Sequence, residues 1–302
     1  MEIAMVGLGK MGANMATRLL HGGHRVVVYD INDSAIRSLE TVGAEGARTL
    51  EEIAIKLKAP RSVWIMVPSG DITGQTILQL SGVLQSGDTI IDGGNSNYKD
   101  TQRRAQYLQD TGLDLIDVGT SGGIWGLVEG YNLTVGGQSD IVERHRSIFE
   151  TLAPSPSQGW GHVGSSGAGH FVKMIHNGIE YGLMQAYAEG FEILKAKIEF
   201  GLNLHQITEI WRYGSVVRSW LLDLTSNALA DDQELKDIKG WVSDSGEGRW
   251  AVFEAIDLDI AAPVITLALQ RRLRSRSENP FSDRLLAALR NQFGGHDILK
   301  DE

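Results

Sequence analysis

The chain of 302 residues contains no cysteine. Disulfides, thiolate metal ligands and thiol nucleophiles are thereby excluded together, so any chemistry must use other groups. Positive charge is in deficit too, with 28 Lys and Arg against 38 Asp and Glu and a formal net charge of -10. That balance argues against a nucleic-acid partner, because gripping a phosphate backbone relies on clustered Lys and Arg that displace counterions. No apolar run approaches the ~20 residues that span a bilayer as a helix. No basic segment followed by an apolar stretch precedes Met1-Glu2-Ile3-Ala4-Met5-Val6, which already reads as a strand. The expectation is a soluble cytoplasmic protein with neither membrane nor nucleic acid as partner.

What the sequence does contain is alternation. β-rich runs at Ile3 to Val6, Arg25 to Tyr29, Ser62 to Val67, Thr89 to Asp92, Leu113 to Val118 and Tyr131 to Val135 alternate with helical patterns such as Met11 to Leu20 and Asp100 to Leu108. That rhythm predicts a mostly parallel sheet covered by helices. After the turn-rich Pro154-Ser155-Pro156-Ser157-Gln158-Gly159, one last run, Trp160 to Val163, gives way to helical periods. The fold expected is α/β: a Rossmann, doubly wound dinucleotide-binding domain over 1–164 followed by an all-α substrate-binding and oligomerisation domain over 165–302. One long helix is predicted from Gly169 at least to Lys197. Gly178, Gly182 and Gly190 lie inside it. Each costs about 1 kcal/mol relative to alanine there, which suggests close packing or a nearby ligand, with simple tolerance as the alternative.

Gly7-Leu8-Gly9-Lys10-Met11-Gly12 follows the first strand directly and opens a helix. In that context the glycines allow a tight turn, let backbone approach a pyrophosphate and permit close helix packing, with the anion on free helix N–H groups. The second strand ends in Val28-Tyr29-Asp30, close to the ~20-residue spacing at which a carboxylate holds the ribose hydroxyls. Asp30 therefore favours NAD over NADP, whose 2′-phosphate it would repel; Arg37 partly offsets this. Val67, Pro68 and Asn95 end further strands on the same edge, where ligands of open α/β sheets bind. Asn95 offers a donor and an acceptor for a substrate hydroxyl or the nicotinamide amide, although a turn role in Gly-Gly-Asn-Ser explains it equally.

In the long helix, Lys173, His176, Asn177 and Glu180 stand at i, i+3, i+4 and i+7, within an arc of about 100°. A solvated stripe has the same spacing. The flanking positions are apolar or glycine rather than charged, which favours a face that looks into a cleft.

The segment from Gly167 through Lys173-Met174-Ile175-His176-Asn177-Gly178-Ile179-Glu180-Tyr181-Gly182 resembles the signature of the short-chain 6-phosphogluconate dehydrogenases, within the β-hydroxyacid dehydrogenase superfamily. Asp92-Gly93-Gly94-Asn95-Ser96 and Ser121-Gly122-Gly123 resemble two further motifs of that family. The resemblance implies oxidative decarboxylation of 6-phosphogluconate to ribulose 5-phosphate in the pentose phosphate pathway, with Lys173 as general base and Glu180 as general acid. It places Asn95, Ser121, Gly122, Gly123, His176, Asn177 and Tyr181 around the substrate. Such chemistry needs no metal: the base takes the hydroxyl proton, and the resulting β-keto acid loses carbon dioxide into its own ketone. Arg271, and Arg290 with His296, match phosphate-side motifs of the family. Arg249 falls where longer relatives typically carry lysine. Arg272, Arg274 and Arg276 read instead as a solvated basic face. In the family the tail enters a neighbouring subunit's site, which implies a homo-oligomer, a dimer or tetramer; here the tail motif follows the helical bundle sooner than in long members. A 3-hydroxyisobutyrate or tartronate-semialdehyde dehydrogenase is the alternative enzyme, although these lack the full His-Asn-Gly-Ile-Glu-Tyr run. A non-catalytic dinucleotide sensor is the alternative of another class, weighed against by the presence of both a base and an acid.

Overall fold

The computed structural model describes residues 1–299. They form two compact units, Met1–Asn177 and the residues from Gly178 onward. The first holds an eight-stranded sheet in the order β3-β2-β1-β4-β5-β6-β7-β8. The strands are β1 Glu2–Val6, β2 Arg25–Tyr29, β3 Glu45–Gly46, β4 Ser62–Ile65, β5 Thr89–Asp92, β6 Asp114–Ser121, β7 Asn132–Gly136 and β8 Trp160–Gly164. Its helices are α1 Lys10–His21, α2 Asp33–Glu40, α3 Leu50–Lys56, α4 Asp71–Ser81, α5 Tyr98–Thr111, α6 Gly126–Glu129, α7 Ser139–Arg144 and α8 Arg146–Leu152. All pairings are parallel except β6 with β7, where Val118 faces Val135 across an antiparallel seam.

The central strands are buried on both faces, as a parallel sheet covered by crossover helices requires. Side-chain alternation sorts them into two layers. Along β1, Ile3 and Met5 join Met15 and Leu19 of α1 and Phe149 of α8 on one side. Ala4 and Val6 join Ile53 of α3, Ile77 and Leu80 of α4 and Leu108 of α5 on the other. β4 ends at Ile65, two residues short of the expected Val67, and two further strands differ from expectation. β6 runs on to Ser121, because pairing with β7 extends it, and β3 is a two-residue pairing to β2 that carries no apolar pattern of its own.

Helix α9, Ala168–Ala196, is a single helix of 29 residues. The second unit continues through α10 Leu204–Trp211, α11 Trp220–Asp231, α12 Glu247–Asp257, α13 Pro263–Arg274 and α14 Phe281–Gly294. Phe191, Leu204, Leu222 and Leu229 form its apolar centre. The glycines inside α9 divide by role. A Cβ on Gly178 would lie 3.2 Å from Ala251 Cβ, and one on Gly182 would lie 3.1 Å from Val264, so both permit close helix packing. Gly190 faces open space and is simply tolerated. Among the described residues no helix is long and apolar enough to cross a membrane.

Candidate active site

The glycine turn between β1 and α1 has no space for a side chain at Gly7 or Gly12. Gly7 adopts φ +92°, and a Cβ there would stand 2.5 Å from the Met66 carbonyl oxygen and 3.0 Å from Val67 Cγ1. A Cβ on Gly12 would overlap the Gly7 carbonyl oxygen. Gly9, by contrast, has open space around it and caps α1 with no side chain. The N-cap of α1 is therefore left without a side chain of its own and with open space beside it, as an anion-binding helix end requires. Asp30 reaches this turn: its Oδ2 accepts from the Leu8 N–H at 2.6 Å and its Oδ1 from the Asn32 N–H at 2.8 Å. Each oxygen retains a further lone pair for a ribose hydroxyl. Arg37 pairs with Asp33 at 2.6 Å rather than with Asp30. The residues present fit a dinucleotide.

Val67 and Pro68 follow the end of β4, and the Thr73 hydroxyl donates to the Pro68 carbonyl at 2.9 Å. After β5, the buried Asp92 braces the loop by accepting from the Gly94 N–H at 3.2 Å and the Ser96 hydroxyl at 2.8 Å, with Arg104 at 3.6 Å behind. Asn95, at the tip of this braced loop, is exposed.

At the end of β6, Lys173 Nζ donates to Ser121 Oγ at 2.6 Å. These residues lie 52 positions apart in sequence, and the fold brings them together. Lys173 and Asn177 are each 8% exposed, whereas His176 is exposed with its Nδ1 3.1 Å from Asn177 Oδ1. Gly122 and Gly123 turn with φ +136° and +52°, a conformation that L side chains rarely adopt. Glu180 is half-buried on the same helix as Lys173, about 10 Å further along its axis.

In the second unit Tyr181 is buried. A Cβ on Gly248 would stand 2.5 Å from its Cε2 and 2.7 Å from its Cδ2, and the Arg272 guanidinium carbon lies 3.4 Å from its ring centroid. Its hydroxyl is 3.3 Å from Ser245 Oγ. Arg272 also donates to the Ser243 carbonyl at 2.9 Å. Arg274 and Arg276 are exposed, as expected of a solvated face, and only the half-buried Arg272 departs from it. Arg272 stacks on Tyr181, Arg274 pairs with Asp283 at 2.7 Å, and Arg276 approaches Asp244 at 4.0 Å and the Trp241 ring at 5.4 Å. No periodicity reveals such a stack, since its two members come from α9 and α13. Arg249 Nε bonds Asp244. Burial would raise the Asp244 carboxyl, but the Arg249 guanidinium, the Gly246 N–H and Arg276 together hold it below its ordinary range. Tyr181, Arg271 and Arg272 line a cavity of about 480 Å³, which Arg249 does not line. Arg290 and His296 are exposed, and Asn291 Nδ2 donates to the His296 carbonyl at 2.9 Å.

Comparison with known proteins gives two family matches. Residues 2–164 match the NAD binding domain of 6-phosphogluconate dehydrogenase, and residues 169–289 match the C-terminal domain of 6-phosphogluconate dehydrogenase. The chain is 43% identical over 296 residues to the Bacillus subtilis protein YqeC, with 98% of each covered. It is 38% identical over 303 residues to the NAD(+)-dependent, decarboxylating 6-phosphogluconate dehydrogenase of Haloferax volcanii, with 100% of each covered. The solved Plasmodium falciparum 6-phosphogluconate dehydrogenase superposes on it with a TM-score of 0.84 at 27% identity, covering 100% of this chain and 66% of that one. The chain therefore belongs to the 6-phosphogluconate dehydrogenase family.

Proposed function

We propose that the chain oxidises and decarboxylates 6-phosphogluconate to ribulose 5-phosphate and carbon dioxide with NAD in preference to NADP, as a step of the pentose phosphate pathway. The observation that carries this reading is the buried Lys173 amine held 2.6 Å from Ser121 Oγ, on a helix that also carries Glu180. Gly7, Leu8, Gly9, Lys10, Met11 and Gly12 hold the pyrophosphate, Asp30 the ribose, and Val67, Pro68 and Asn95 flank the cofactor. A bound nicotinamide supplies the acceptor for the electron pair of the substrate C–H bond. A neutral Lys173 takes the proton of the hydroxyl being oxidised. As an ammonium it then donates a hydrogen bond to the new ketone oxygen, stabilising the enolate left when the carboxylate departs as carbon dioxide. Glu180 protonates the terminal enol carbon. The Ser121-Gly122-Gly123 turn offers N–H groups to the substrate carboxylate, and Asn95, His176, Asn177 and Tyr181 orient its hydroxyls. Arg249 and Arg271 receive the phosphate.

The preference for NAD rests on the Asp30 carboxylate at the glycine turn and on the full-length likeness to an NAD(+)-dependent relative. We further propose a functional division at 164/165, where β8 ends, and self-association as a dimer or tetramer in which Arg290 and His296 serve a neighbouring copy. Every residue of α14 except the half-buried Asn291 is exposed, which supports a covering partner.

Purified protein mixed with 6-phosphogluconate and either cofactor tests the reading. Reduced nicotinamide and carbon dioxide are expected to appear one for one, faster with NAD. Reduction without carbon dioxide would sink the decarboxylation, and a higher kcat/KM with NADP would sink the role given to Asp30.

A further inference from the structure

Helix α9 begins against the antiparallel seam of the sheet, and the contact is made of backbone. Asp117 of β6 is fully buried. Its Oδ1 accepts from the Gly167 N–H at 2.7 Å and its Oδ2 from the His170 N–H at 2.9 Å. It thereby satisfies donors at a helix start that have no partner within the helix, and sets a negative charge at the positive end of the helix dipole. The His170 ring is tied in turn to the Thr101 hydroxyl at 2.7 Å.

Three glycines bring the helix down onto the strands. A Cβ on Gly136 of β7 would stand 2.5 Å from Asp117 Oδ1 and 2.7 Å from the Gly169 nitrogen. One on Gly169 would stand 2.5 Å from the Thr134 carbonyl oxygen and 2.6 Å from that of Asp117. One on Gly119 would overlap Lys173 Cβ and stand 2.6 Å from the Gly169 carbonyl oxygen. The Thr134 hydroxyl donates to the Gly169 carbonyl at 3.0 Å. Lys173 is consequently fixed at both ends by one strand: its Cβ rests on Gly119 and its Nζ on Ser121.

We propose that Asp117, Gly119 and Gly136 are positioning residues for the reaction, setting the depth and register at which α9 presents the Lys173 amine to the substrate hydroxyl. The proposal rests on Lys173 as the base. The test uses the full chain with D117N, G119A, the milder T134V and K173M. It measures kcat, both KM values, thermal melting, and the primary isotope effect with substrate deuterated at the carbon that is oxidised. D117N and G119A are expected to lower kcat roughly 10- to 100-fold, since displacement of a catalytic group by about 1 Å is worth that much. The isotope effect should rise as C–H cleavage becomes slower than product release, while the KM for NAD stays within about twofold. T134V should show the same pattern to a smaller degree, and it decides the matter if the other two fail to fold. A kcat that falls only in proportion to the folded fraction, with the isotope effect unchanged, makes the cluster a scaffold and overturns the proposal. Wild-type constants in D117N and G119A beside an inactive K173M overturn it while leaving the base assignment standing; an active K173M removes the base assignment itself.

Discussion

At the scale of single residues, the first unit holds polar side chains in its interior by satisfying them locally. His145 is fully buried; its Nδ1–H donates to the Ile141 carbonyl at 2.8 Å, which leaves Nε2 to accept from the Ser62 hydroxyl at 2.7 Å. Burial lowers its pKa from the ordinary 6.5 to about 4. The folded chain therefore keeps this histidine neutral while the unfolded chain protonates near 6.5. The stability it contributes is fully present above the unfolded value and is lost as pH falls through the window between the two, by about 3 kcal/mol at the bottom. Urea unfolding at pH 7 and pH 4.5 checks this. H145Q, less stable than wild type at pH 7, should lose about 2 kcal/mol less than wild type on acidification; parallel losses would show that His145 does not carry the acid limb. The Tyr181 and Arg272 stack is another residue-scale device, in which a planar guanidinium covers an aromatic ring whose edge Gly248 lets approach closely.

At the scale of elements, α1 and the turn that opens it depend on what glycine lacks. G12A puts a methyl group onto the Gly7 carbonyl oxygen, a backbone atom that cannot rotate away. Helix α1 must then lift from β1, disturbing the N–H groups and the placing of Leu8 against Asp30. The expected outcome is a KM for NAD raised roughly tenfold or more, and a loss of the rise in Tm that NAD gives wild type. An unchanged NAD-dependent Tm shift would remove the turn from the binding site. The period of apolar residues makes β1, β2, β5 and the course of α9 readable from sequence, because a buried strand or helix must repeat its apolar positions. β3 and the far end of β6 escape that logic. Both exist through pairing with a neighbour, and neither Glu45-Gly46 nor Gly119-Thr120-Ser121 carries an apolar repeat.

At the scale of the whole molecule, α14 stands apart. Phe281, Leu285, Leu286, Leu289 and Phe293 repeat at helical spacing, yet the helix buries none of its residues and Phe293 is 96% exposed. Such an uncovered apolar stripe is the face that the proposed self-association would bury. A net charge of -10 counters unspecific association but does not prevent specific packing of such a face. Sedimentation is expected to find a dimer or tetramer, and the double variant L285E and L289E to shift it toward monomer with activity falling at least roughly tenfold if Arg290 and His296 serve a neighbouring copy. A monomeric variant with full activity would show that the tail acts within its own chain or not at all.

The sequence by itself determined the α/β class, the glycine turn with its acidic partner, and the one-helix stripe of Lys173, His176, Asn177 and Glu180. Each of these is local, fixed by spacing along one strand, turn or helix. Tertiary structure alone decided the contacts between elements. It set Ser121 against Lys173, placed Arg272 on Tyr181, and turned an unremarked Asp117 into the clamp at the start of α9. Ser121 and Lys173 lie 52 positions apart, as do Asp117 and Gly169, and only the packing of backbone on backbone at Gly119, Gly136 and Gly169 brings the helix within bonding distance of the strand.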